Sequence, residues 1–94
     1  MNYLDVISFY VVEYEVKDSR SVKVHGEILI NTQILIYLLR TRFNLTFREI
    51  GEVTLISRQC ANIYYYIILS SRYYRDVADT RWKELFDARA IHQN

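Results

Sequence analysis

Proline is absent from this chain, and glycine occurs only twice, at Gly26 and Gly51. A small all-β domain needs several tight turns, normally built on Gly, Pro or Asn-Gly, so the shortage argues against one. Long helices with few tight turns are expected instead. Cysteine occurs once, as Cys60, which excludes an internal disulfide and fits a reducing compartment such as the cytoplasm. One cysteine and two separated histidines, His25 and His92, do not make a metal site. There is no glycine-rich phosphate loop, and no base is identifiable beside Cys60. Neither an enzyme nor a bound cofactor is therefore expected. Long apolar runs are missing as well. The longest, Ile34–Leu39, falls far short of the ~20 residues a membrane helix needs. No secretory signal is expected either, since no basic stretch leads into an apolar run near the N-terminus.

What is present is a composition for one folded domain spanning residues 1–94. Hydrophobic residues make up 51% and charged residues 24%, which is the balance of a globular chain and not of a disordered tail. A chain of this length buries roughly 60–65% of its unfolded surface, enough for one core. The net charge of +1 gives no warrant for nucleic acid by itself. Its distribution is uneven. Residues 39–75 carry Arg40, Arg42, Arg48, Arg58, Arg72 and Arg75 against Glu49 and Glu52, a local +4.

"SFYVVEYEV", "EILINTQILIYLL" and "NIYYYIIL" are rich in residues that favour strands. No turn chemistry joins them, so an all-α fold of five to six helices is expected. Over residues 2–16, Leu4, Ile7, Tyr10, Val11 and Tyr14 share one helical face. Residues 17–26 read as a polar connector. Residues 27–43 are apolar nearly all round except Asn31, Thr32 and Gln33, the pattern of a central buried helix. Thr46-Phe47-Arg48-Glu49 is a capping box, predicting a short helix over about 46–54. After the turn "TLIS", Ser57 or its neighbour caps a helix running to about Leu69. Asp79 is placed to cap a last helix with Trp82, Leu85, Phe86 and Ala90 on its apolar face.

Helix, short turn, helix over Thr46–Leu69 is the helix-turn-helix pattern, whose second helix enters the DNA major groove. With "DVISFYVVEYEV", "RSVKV", "QILIYLLR", "LTFREIG", "SRQCANIYYYI" and "DTRWKELF" taken in order, most of the chain resembles the C-terminal DNA-binding domain of the bacterial replication initiator DnaA. That family belongs to the Trp-repressor-like group. Glu49, Ile50 and Gly51 match its glutamate-isoleucine-glycine directly. Arg58 falls on its signature arginine, and Ile63 on the valine that packs inward. The resemblance implies phosphate contacts by Arg20, Lys23 and Arg40, and backbone contacts by Phe47 and Arg48. It sets Arg58, Gln59 and Asn62 at the base edges, where Asn and Gln amides pair with adenine. Gln59, Cys60, Ala61 and Asn62 replace the family's aspartate, histidine, serine or threonine, and second threonine. The initiator's own DNA box is therefore not the expected target.

Two functions follow as expectations. One is a double-stranded-DNA-binding protein of replication initiation or transcription regulation, with altered specificity. The other is a helix-turn-helix reused for dimerisation or for binding a protein partner. The second rests on the helix after Ser57. With Ile63 facing the core, 100° per residue puts Cys60, Tyr66 and Ile67 beside it. Tyr65, Ile68 and Leu69 then fall off the core face and form a candidate interface, covered by the 72–90 segment or by a second copy.

Overall fold

Caps and burial together decide where the helices lie. A computed structural model describes residues 2–13 and 27–93, with side chains over 2–8 and 30–85. The elements are α1 (Tyr3–Glu13), α2 (Glu27–Arg42), α3 (Phe47–Thr54), α4 (Arg58–Leu69) and α5 (Arg72–Gln93), with no strand among the described residues. The protein is all-α. The predicted 17–26 connector, with Arg20 and Lys23, lies outside the described residues, as do the side chains of Tyr10, Val11, Tyr14, Phe86 and Ala90.

Helix α2 is the hub. Every residue from Asn31 to Leu39 is buried, and the other four helices all pack against it. Its β-branched content would suit a strand, but burial on every side overrides that preference. Each fully buried isoleucine or leucine here, such as Ile34, Ile36, Leu38 and Leu39, contributes about 1.5–3 kcal/mol relative to exposure. Asn31 sits in this interior as well, and its side-chain oxygen accepts a hydrogen bond from Arg81 of α5. A buried amide left unpaired would cost about 1–3 kcal/mol, so this bond ties α5 to the hub.

The helix ends are closed by side chains. At α1, the Asn2 side chain accepts from the Asp5 amide at 3.0 Å, and the Asp5 carboxylate accepts from the Asn2 amide at 3.2 Å. Thr46 and Glu49 form the predicted capping box on α3, with reciprocal bonds of 3.1 and 3.0 Å. The Thr46 backbone amide first, and the Thr46 side chain second, stabilise the Glu49 carboxylate and hold it below the usual carboxylate range. Ser57 caps α4 by accepting from the Cys60 amide at 3.1 Å. Ser71 caps α5 in the same way, accepting from Tyr74 at 3.3 Å.

Two expectations are corrected. Leu4 is 55% exposed, and Val6 is the residue of α1 that is fully buried. The buried side of α1 runs through Tyr3, Val6 and Ile7, about 60–160° round from the position of Leu4 if 100° is taken per residue. Asp79 does not cap a helix. Helix α5 begins seven residues earlier, and Asp79 lies inside it, paired with Arg42 at the end of α2. Ser71 outcompetes Asp79 because a cap must stand before the first helical residue, where backbone amides have no partner.

Candidate nucleic-acid interface

Between α3 and α4 stand only three residues, Leu55, Ile56 and Ser57. Leu55 ends α3 in the left-handed conformation, with φ of 62°. A leucine there costs about 1–2 kcal/mol in backbone sterics. Ile56 drops into the core beside it. Gly51 makes the tight junction feasible. A Cβ at Gly51 would stand 2.9 Å from the Ile56 carbonyl oxygen and 3.6 Å from the Arg58 amide nitrogen. Backbone therefore packs on backbone where α3 meets the start of α4, and only glycine leaves the room.

The rotation of α4 differs from the expectation. Ala61 and Ile68 are fully buried. Tyr65 stacks on Tyr37 of α2 with ring centroids 5.9 Å apart, and meets the Phe47 ring edge-on at 5.5 Å. Tyr64 and Leu69 pack partly against the same core. Ile63 is 60% exposed and Tyr66 is 56% exposed, while Ile67 is 38% exposed. Ile63 thus faces outward, and Tyr65, Ile68 and Leu69 do not form an outer patch. They are covered chiefly by α2 and α3 of the same chain, with α5 alongside. The physical reason is that α4 is apolar from Ile63 to Leu69, so its hydrophobic pattern hardly distinguishes one side from another. The aromatic rings of Tyr37 and Phe47 take Tyr65, and that fixes the rotation.

Turned this way, α4 presents Arg58, Gln59, Asn62, Ile63 and Tyr66 to solvent as one stripe, at spacings of one, four, five and eight. Sequence reasoning named the first three and missed Ile63 and Tyr66. The signal was available in the polar residues, since Arg58, Gln59 and Asn62 share one side of the helix. Asn62, Ile63, Tyr66, Ile67 and Ser70 line a shallow, open and mostly apolar depression along it. Behind the stripe, Cys60 is half-buried. Its interaction with the Tyr64 phenol first, and burial second, push that phenol up to about 12.

The basic residues divide into two groups. Arg40 donates to the Asn44 side chain at 3.3 Å and the Leu45 carbonyl at 3.2 Å, and lies 5.5 Å over the Phe47 ring. It closes the end of α2 and holds the start of α3. Phe47 is half-buried between Arg40 and Tyr65. Arg42 pairs with Asp79 and lies 5.7 Å over Trp82. Arg75 donates to the Leu69 carbonyl at 2.8 Å and so closes the end of α4. Arg48, Arg58 and Arg72 are exposed. Arg48 stands 3.4 Å from Glu52, but their side chains are 80% and 64% exposed, so the pair binds little.

No family model matches the chain, and no curated protein or solved structure matches it.

Among the described residues there is no group of three or more His, Cys, Asp or Glu side chains placed to hold a metal, and no helix is long and apolar enough to cross a membrane. The exposed side chains brought together here are cations on α3, α4 and α5, and two amides and an apolar strip on α4.

Proposed function

We propose that this chain is a DNA-binding module in which α3 and α4 act as a helix-turn-helix. The likeness of its sequence to the C-terminal domain of DnaA supports a role in replication initiation or transcription regulation, with altered specificity. The observation that carries the reading is the outward stripe of α4. Arg58, Gln59 and Asn62 are exposed in its first turns, while Ala61, Tyr65 and Ile68 anchor it to the core. A reading helix needs this division, since its N-terminal residues meet base edges while its opposite side stays packed. The glycine-mediated junction supports the reading too, because it holds α3 and α4 in one fixed relation. In this account Arg48 and Arg58 neutralise phosphates together with Arg72, joined by Arg20 and Lys23. Arg40 and Phe47 position α3 and contact phosphate only with what their packing leaves exposed.

One observation favours the second reading, a module that binds a protein or a second copy of itself. Ile63, Tyr66 and Ile67 expose an apolar depression, and such surfaces mark contact sites. A binding titration with labelled duplex DNA at 50 and 200 mM salt separates the two. Arg48, Arg58 and Arg72 by themselves, neutralising three phosphates, give a log–log slope of about −2.7, which is roughly fortyfold weaker binding across that range, and Arg20 and Lys23 steepen it. Arg58→Ala should reduce the steepness by about 0.9. Absence of binding at the lower salt, with a molecular mass that rises with protein concentration, would select the protein-contact reading instead.

A further inference from the structure

We infer that the outer face of α4 selects A·T-rich DNA, with its exposed apolar side chains seated on thymine methyl groups in the major groove. The inference rests on the DNA-binding reading and names the ligand for the same stripe. Five side chains face outward from Arg58 to Tyr66, over a rise of about 12 Å at 1.5 Å per residue. That length covers three to four base pairs at roughly 3.4 Å each. Two of the five are amides, Gln59 and Asn62, whose donor and acceptor match the N6 and N7 edge of adenine. Two more, Ile63 and Tyr66, are apolar over much of their exposed surface. In the major groove the thymine C5 methyl is the base-edge group that rewards apolar contact. An A·T pair therefore supplies partners for both kinds of side chain at once.

The polar and apolar members are interleaved, and this decides between DNA and an apolar protein surface. Asn62 lines the same depression as Ile63, Tyr66 and Ile67. A hydrophobic partner covering the depression would leave the Asn62 amide without a hydrogen-bond partner, which opposes binding. Charge points the same way. The segment 39–75 carries a local +4, and its exposed arginines include Arg58 at the head of the stripe. Guanine at these positions would offer two acceptors to Gln59 and Asn62, and cytosine would offer Ile63 no methyl.

The test removes only the methyl. Three duplexes of equal length are titrated with the whole chain: alternating A·T, the same duplex with deoxyuridine for thymidine, and alternating G·C. The A·T duplex should bind tightest. Deoxyuridine should weaken binding by roughly fourfold for each methyl contacted, the effect of one buried CH2-sized group. Ile63→Ala, at an exposed position that folding tolerates, should shrink the difference between thymidine and deoxyuridine, while Asn62→Ala should leave it and weaken all adenine-containing duplexes. Equal affinity for thymidine and deoxyuridine, or tighter binding to G·C, overturns the inference while DNA binding itself stands. No binding to any duplex overturns both.

Discussion

Ile63 and Ile68 are the same residue type five positions apart, and the structure assigns them opposite fates. Ile68 is fully buried and Ile63 is 60% exposed. Ile68→Ala should therefore cost about 2–5 kcal/mol, the range for truncating a buried isoleucine and leaving a partly collapsed cavity. Ile63→Ala removes a side chain that is mostly in water, and alanine's better helix propensity offsets part of the loss, so its cost should stay below about 1 kcal/mol. Total stability for a chain of this length is roughly 5–14 kcal/mol, so the first change consumes a large share of it. At about 4–8 °C per kcal/mol, a 3 kcal/mol loss lowers Tm by roughly 12–24 °C. Thermal and urea unfolding followed by circular dichroism measure both variants. Equal losses, or a larger loss at Ile63, would mean that α4 is rotated the other way. The outward stripe would then be core, and the proposed reading face would not exist.

Gly51→Ala should destabilise the protein even though alanine favours helices by about 0.8–1.0 kcal/mol, because the added Cβ meets a backbone carbonyl at 2.9 Å and backbone yields little. A Gly51→Ala variant more stable than wild type in urea would show that α3 and α4 are not so closely joined. Glu49 has its pKa lowered by the capping box, so its contribution is fully present above the ordinary carboxylate range and is lost as pH falls through the lowered value. Glu49→Gln should flatten that part of the acid limb of the stability profile, and an unchanged limb would refute the link. Tyr64 has its pKa raised to about 12, so the unfolded chain ionises first, and stability should fall between about pH 10 and 12. Tyr64→Phe should shift less over that window, with urea midpoints at pH 9 and 11 as the check.

The starts of α3 and α4 were legible because they are written in local chemistry, whereas the start of α5 was not, since Asp79 reads as a cap and lies inside that helix. Thr46, Glu49 and Ser57 announce α3 and α4 in residues that satisfy free backbone amides, and each cap stands where expected. The central burial of α2 was legible from its lack of a polar side. Rotation was harder. α4 is apolar all round beyond Asn62, and anchoring it on Ile63 placed Tyr66 inside and Ile68 outside. Only the rings it packs against, Tyr37 and Phe47 from elsewhere in the chain, decide the matter. The roles of Arg40, Arg42 and Arg75 were hidden for the same reason. Each looks like a basic surface residue in sequence, and each closes a helix end or bridges to an acid or an aromatic ring in the fold.

Amide mapping tests the central claim most directly. The 15N-labelled chain is titrated with alternating A·T duplex DNA at low salt, and backbone amide shifts are followed residue by residue. Perturbations should centre on Arg58–Tyr66 and on Arg48 at the start of α3, and should fade as salt is raised. No perturbation, or one that instead follows protein concentration at Ile63, Tyr66 and Ile67 without DNA, would contradict a DNA-reading face and identify α4 as a surface for pairing with another copy.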